Sequence, residues 1–419
     1  MNADIQLSFG LCLAFILLVP FAIAGLALIN TGLGRSRSAA HAMTSSLCVI
    51  GVAVLIYFVW GFKIQGYQIP AQFSGAWYDA LSSQPGMFLF GLGFGLPSLA
   101  ALLGIFSVAL ACLVPLGATA DRLRLSGACF STVVLAGVCY PLFAHLASHS
   151  SAAVLHKGFE RFVDAGGSGI INATGGLTAL ALVWLLGPRQ GKYPAKGMPA
   201  AIPAHNQVYV LFGCMLAWLG WLGLNSAGAM LYGDGAMRFD GSVVVVVNTT
   251  VSAAAAALTS AVVTRIRFRR PDASLIANGW MAGLVASSAG CAMLKPALAI
   301  ITGIVAGGLV VLSVEWFELH FKVDDPCGSI SVHGVCGIWG LLAAGIFSGS
   351  TAQFTAQIVG IATLLGLIFP MTYGLNWVLS RFIPYRISAD GERQGLDLHE
   401  LGADAYPEFM VHSDEFLQR

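Results

Sequence analysis

The sequence predicts an all-α polytopic membrane protein of eleven transmembrane helices, built from two five-helix halves of inverted topology plus an eleventh helix. Three observations carry that prediction. The chain is too apolar for a water-soluble globule of its length: of 419 residues 57% are hydrophobic and only 10% charged, with a mean hydropathy of +0.79. Apolar runs long enough to cross a hydrocarbon core of ~30 Å, roughly 20 residues each, recur along it. And one cassette occurs twice, as "DAGGSGIINATGG" from Asp164 and "DPCGSISVHGVCG" from Asp325.

The runs lie near 7–31, 44–64, 86–117, 125–147, 168–188, 207–230, 242–264, 273–292, 296–315, 329–349 and 355–380. No long alternating pattern of strand type appears, and inside a bilayer every backbone group needs an internal partner, so the runs are read as helices. The first, "LSFGLCLAFILLVPFAIAGLALI", has no basic stretch before it and no small-residue cleavage site, so it is read as a mature helix and not a signal peptide. Lys and Arg set the orientation. With the amino terminus outside, sixteen of the 21 fall in cytoplasmic loops and the tail, among them Arg35, Arg122, Arg189 and "RIRFRR" at 265–270, against Lys63, Lys157, Arg161, Arg238 and Lys295 outside. The positive-inside rule then places the carboxyl terminus in the cytoplasm and requires an odd helix count.

The two cassettes open the fifth and tenth helices, so the unit between them has five helices and its second copy inserts upside down. A weaker echo agrees: "GLALINTG" ends the first helix and "GWLGLNSAG" lies in the sixth. This divides the chain into a first repeat, 1–188, a proline-rich cytoplasmic linker, 189–206, a second inverted repeat, 207–349, the eleventh helix within 350–384, and a polar cytoplasmic tail, 385–419.

Asp164 is expected at the outer face and Asp325 at the cytoplasmic face, each capping free N–H groups at a helix start. Eight residues on, about 12 Å along an ideal helix axis, Asn172 and His333 approach the bilayer midplane and meet across the pseudo-two-fold axis. An ionisable side chain at that depth generally lines a pathway; the plainer reading of either residue is an interhelical hydrogen bond. His145 and His149, with His156 beyond them, raise an outer metal site, but no carboxylate or cysteine completes it, and a solvated mouth is the favoured reading. The nine cysteines form neither a disulfide framework nor CxxC spacing. A net charge of +1 and short basic loops argue against nucleic acid. No nucleophile–base pair, phosphate loop or complete metal cluster supports an enzyme, and no cofactor is implied.

"DDPCGSISVHGVCGI" in the tenth helix, "DAGGSGIIN" in the fifth, "ALINTGLGR", "GATADRLR", "GWLGLNSAG", "VNTTVSAAAAALT" and the tail "ERQGLDLHELGADAY" closely resemble the ammonium transporter, methylammonium permease and Rhesus family over essentially the whole chain. The resemblance implies a homotrimer with a hydrophobic pore in each protomer. It also implies recruitment of ammonium at an outer vestibule by an aromatic cage and a hydroxyl, then passage between two stacked phenylalanines to a pair of facing histidines. Cation–π contact and a hydroxyl acceptor replace water around a small cation, while an apolar lumen disfavours the charged form.

Carried over position by position, the pattern is altered. The first of the twin histidines falls on Asn172 and the second is His333. The cage tryptophan falls on Ser148, the recruiting hydroxyl on Gly228, the lower gate phenylalanine on Leu224 and the upper on Ser107, with Phe106 one step away. Phe90 and Phe94 keep a gate-like spacing but lie far from the aligned position. Asparagine cannot relay a proton as a second imidazole can, and Ser148, Ser107 and Leu224 widen and polarise the outer route. The expected activity is conduction of ammonium, ammonia or a related small solute across a plasma (inner) membrane. The alternatives are a non-transporting solute receptor and a channel for another small neutral molecule. The match at Gly395, Leu396, Asp397, Gly402 and Tyr406 implies a tail that couples protomers and docks a PII-type signalling protein; a passive capping tail is the other reading.

Overall fold

The computed structural model describes residues 3–67, 85–93, 95–148, 162–233 and 241–407. Ten helices are long and apolar enough to cross a membrane and one is shorter. In chain order they are α1 (Gln6–Leu33), α2 (Ser36–Gln65), α3 (Leu96–Ala118), α4 (Leu125–Ala147), α5 (Ser168–Leu186), α6 (Gln207–Tyr232), α7 (Ser242–Phe268), α8 (Ala273–Ser287), α9 (Pro296–His320), α10 (Ile330–Phe347) and α11 (Thr351–Phe382). Among the described residues there is no β-strand, only one isolated antiparallel bridge between Leu123 and Arg386. The chain is an all-α multi-pass membrane protein.

Three elements differ from the hydropathy reading, each for a local reason. The third helix starts at Leu96 with Pro97 in its first turn, ten residues later than the apolar run, because Phe88 and Leu89 hold positive φ and Gly86–Leu92 folds into tight turns. Helix α8 ends at Ser287, and the rest of its run closes as turns on Gly290. Helix α1 is interrupted at Leu17–Leu18, just before Pro20, whose ring cannot donate the next ladder hydrogen bond.

Helices α3, α4, α5 and α10 are mostly buried, whereas α2 and α11 expose most of their surface. Large side chains such as Leu47, Leu55, Val208, Leu258 and Phe382 point outward, the arrangement a lipid solvent requires. Glycine makes the two inner crossings close. On α1 and α6, a Cβ at Gly25 would lie 2.5 Å from Ala217 N, and one at Gly220 would lie 2.1 Å from Ala22 N. On α5 and α10, a Cβ at Gly176 would lie 2.2 Å from Gly334 N and one at Gly337 3.0 Å from Ala173 N. The contacts are reciprocal: within each crossing, both helices present corresponding positions of their matching sequence motifs.

The candidate pore site

Both cassettes fold alike. A glycine in the left-handed region, Gly167 at φ +83° and Gly328 at φ +67°, turns the chain into a helix whose first turn is π-wound, Ser168–Ala173 in α5 and Ile330–Val335 in α10. Asp164 Oδ2 accepts from Gly169 N at 2.9 Å and Ile170 N at 2.8 Å. Asp325 accepts from Ser329 N at 3.0 Å and Ile330 N at 2.7 Å. Each carboxylate satisfies two of the N–H groups that a helix start leaves open. The eight-residue separation is therefore not a continuous α-helical rise: a turn and a π-wound segment shorten it.

Asp164 does more than cap its helix. It lies on the wall of a cavity of about 560 Å³ on the side of the bundle predicted to face outward, with Gln65, Leu103, Ser107, Tyr140, Leu224, Tyr232 and Gln353 also lining it. Its Oδ1 is buried without a hydrogen-bond partner among the described residues. Burial raises its pKa to about 7 against the pull of its backbone donors. Asp325 is raised to about 6 for the same reason. Gln357 of α11 steadies the Asp164 loop, accepting from Val163 N at 3.0 Å and donating to Val163 O at 2.8 Å.

Asn172 and His333 are in contact: His333 Nδ1 lies 2.8 Å from Asn172 Oδ1. Asn172 is fully buried and His333 is 2% exposed. The Asn172 amide nitrogen donates to Gly167 O at 2.9 Å. Neither side chain lines this cavity, whose lining includes Gly167, Ile170 and Ile171 from the same turn. Glycines 176, 334 and 337 bring the two helix starts together around the pair.

The remaining positions divide. Ser107 and Leu224 line the cavity. Gly228 does not: a Cβ there would stand 2.1 Å from Ala165 O, so the position is consumed in packing, and Ala229, Met230 and Tyr232 reach the cavity instead. Phe106 is partly buried against the core and is absent from the lining. Ser148 ends its helix, but its side chain lies outside the described residues, as do Phe94, His149 and His156. His145 Nδ1 is 3.2 Å from Gln65 O. Among the described residues no group of three His, Cys, Asp or Glu could hold a metal ion.

A buried charge cluster near the start of α10 is not evident from the sequence. Arg122 and Arg189, counted there as loop charges, are 0% and 4% exposed. Arg189 grips Asp324 through Nε and Nη2, both at 2.9 Å, and reaches Asp121 Oδ2 with Nη1 at 2.9 Å. Arg122 donates to Gly187 O and Asp324 O at 2.8 and 2.6 Å. Burial alone would raise the Asp324 pKa, but the two guanidinium groups hold it at about 2. Asp121, beside Arg122 in "GATADRLR", and Asp324 in "DDP" are the sequence signals for this cluster, since two buried carboxylates need cations.

The tail lies across the first turns of α2 and α4. Asp397, fully buried, accepts from Ala40 N at 3.0 Å and His41 N at 2.7 Å at the start of α2. Glu400 Oε2 accepts from Leu125 N at 2.9 Å at the start of α4 and sits 2.7 Å from His41 Nε2. Leu396 is buried, Gly395 (φ +103°) packs on Arg37, Gly402 is also left-handed, and Tyr406 Oη lies 3.2 Å from His205 Nε2.

A family model described as Ammonium Transporter Family matches residues 10–406. The chain is 31% identical to Ammonium transporter Amt2 of Archaeoglobus fulgidus over 99% of its own length and 91% of the relative's. It is 29% identical to Ammonium transporter Amt2 of Haloferax mediterranei over 96% and 91%. Among solved structures its fold is similar to one described as Sensor Amt Protein, with a TM-score of 0.82 at 23% identity over 95% of this chain and 99% of that one. It is also similar to Candida albicans Mep2, with a TM-score of 0.78 at 22% identity over 98% and 91%. At those identities the structural likeness is one of fold.

Proposed function

The chain belongs to the ammonium transporter family, and from that premise we propose that each protomer conducts ammonium or ammonia through its own helix bundle, past the Asn172–His333 pair. It is a membrane transporter-family protein and not an enzyme. The observation that carries the finer reading is the order of parts: a roomy cavity walled by Asp164, Ser107 and Leu224, then the sealed amide–imidazole pair directly beyond the turn that forms its floor. A cavity of about 560 Å³ takes far more than one ammonium, so a related small solute is compatible with the same route. With one titratable side chain at the pair, a neutral species is the favoured traveller.

The reciprocal glycine crossings support reading 1–188 and 207–349 as inverted repeats joined by 189–206, followed by the eleventh helix within 350–384 and the tail 385–419. The charge distribution supports an outside amino terminus, a cytoplasmic carboxyl terminus and a plasma (inner) membrane location. We take the assembly to be a homotrimer and the tail to be the surface for a PII-type partner. Proteoliposomes test the main reading: uptake of ammonium or methylammonium above empty liposomes is expected, and its absence from correctly folded trimers overturns it.

A second reading, a receptor whose outer cavity reports to a separate cytoplasmic protein, is favoured by one observation. The tail is fastened to the first turns of α2 and α4 through Asp397 and Glu400, so helix movement there would be transmitted to it. Ammonium-dependent hydrogen-exchange protection within 385–407, without flux, would favour this reading; flux with an unresponsive tail would exclude it.

A further inference from the structure

We propose that the Gly167 carbonyl, acting through Asn172, fixes His333 in a single tautomer with its proton on Nδ1, leaving Nε2 as a hydrogen-bond acceptor for an N–H donor such as ammonia. The hydrogen-bond chain begins at an atom with a single role. A backbone carbonyl oxygen only accepts hydrogen bonds, and Gly167 O lies 2.9 Å from one end of the Asn172 amide. That end must be the NH₂ group, since the reverse orientation would set two acceptors against each other. The other end, Oδ1, therefore faces His333, and it too only accepts. His333 Nδ1 at 2.8 Å must then carry the hydrogen, and in a neutral imidazole the second nitrogen is left with a free lone pair.

The turn keeps the amide from rotating. Gly167 sits at φ +83°, and its carbonyl also accepts from Ile171 N and Asn172 N, each at 3.1 Å, so the oxygen is fixed by the π-wound start of α5. Asn172 is fully buried, with no space to exchange its two ends. His333 keeps the small exposure of the pair, 2%, and its Nε2 has no protein partner among the described residues. Asn172 is thus a positioning residue. Two facing imidazoles can exchange which nitrogen carries the shared hydrogen; an amide cannot, so here the direction of the hydrogen bond is permanent. A solute that only accepts hydrogen bonds meets no donor at Nε2, whereas ammonia or methylamine donates to it.

This inference rests on the pore reading above, and its test does not depend on flux. Full-length protein in lipid, labelled with ¹⁵N-histidine, carries nine histidines; His333 is assigned by the signal lost in His333→Asn and moved in Asn172→Leu. The expected spectrum has a pyrrole-type Nδ1 and a pyridine-type Nε2 for His333, and Asn172→Leu converts that single pattern to a mixture or to its opposite. Ammonium chloride should shift the Nε2 signal and sodium chloride should not. A wild-type His333 protonated on Nε2, an equal mixture, or an ammonium shift confined to Nδ1 overturns the proposal. If neither variant folds, the wild-type spectrum still decides once asparagine is labelled with ¹³C at Cγ, because three-bond couplings within each ring identify the tautomer and, among the described residues, His333 is the histidine whose ring nitrogen meets an asparagine side-chain oxygen, so a coupling across that bond to an asparagine Cγ marks it. Absence of flux with the expected tautomer removes the transport reading and leaves this one standing.

Discussion

Arg189 and Asp324 form a two-pronged ion pair with both side chains almost wholly buried, and the Arg189 backbone N–H adds a third hydrogen bond to the same carboxylate at 2.8 Å. The pair joins the linker after α5 to the loop before α10. Asp324→Asn leaves Arg189 and Arg122 without their shared counter-charge, and removing one partner of a buried pair costs about 3–5 kcal/mol. Thermal unfolding in detergent should show a clear drop in midpoint, and an unchanged midpoint would count against a structural role. The pH dependence has a definite sign. Because the folded pKa is depressed to about 2, this stabilisation is present above the ordinary carboxylate range and is lost only as pH falls through about 2.

Asp164 gives a pH dependence in the other direction. Its folded pKa is raised to about 7, so the neutral form contributes stability at low pH that disappears as pH rises through that value. The cavity wall gains a negative charge over about pH 6 to 8, one unit either side. Cation recruitment should rise across that window. Asp164→Asn keeps an acceptor for Gly169 N and Ile170 N but never ionises; it should flatten the rise, with a loss of about tenfold at the alkaline end, the low end of electrostatic focusing. Parallel pH profiles for wild type and variant would exclude Asp164 from recruitment.

Replacing the amide by an imidazole at 172 should convert a fixed hydrogen bond into an exchanging one. Asn172→His is expected to increase ammonium-driven current on a solid-supported membrane, by up to roughly 10²-fold where proton transfer limits, and His333→Ala to disturb passage in either background. The double mutant should be non-additive, as for residues in contact. Recruitment can limit first, so Ser148→Trp belongs in the series; if Asn172→His alters neither current nor selectivity with and without it, the pair is packing between the halves and nothing more.

Glu400→Gln weakens the hold on His41 and Leu125 together. Burial would raise the Glu400 pKa, but His41 and the Leu125 N–H hold it below the usual range, so this contact persists above ordinary glutamate pKa values and fades as pH falls below them. Asp397→Asn weakens the cap on α2, worth about 0.5–2 kcal/mol for a helix N-cap. Both variants should speed hydrogen exchange in residues 389–407; unchanged exchange would show that the tail is held elsewhere.

The membrane architecture was legible because apolar runs report directly on a lipid solvent, and the likeness of α5 to α10 because two cassettes share one spacing. That spacing also makes the approach of Asn172 to His333 readable. What hydropathy could not reveal is depth within the bundle. Arg122 and Arg189 look like loop charges when counted, yet they fold under the helix ends onto Asp324. Gly228 and Leu224 sit one helical turn apart on α6, and only packing decides that Leu224 reaches the cavity while Gly228 meets the Ala165 carbonyl. The turns before α5 and α10 were hidden for another reason: a π-wound start has no signature in hydrophobic periodicity.

The contact between Gly228 and Ala165 has a consequence for how this chain can change. Any side chain at 228 must first displace the backbone of the very loop that carries Asp164, so even a serine does not fit there without a second change. Introducing a side chain there would have to begin with a change in the 162–167 loop. The position works as an interlock between α6 and the Asp164 loop, and a designer who wishes to place a side chain at 228 must remodel the loop before touching the glycine.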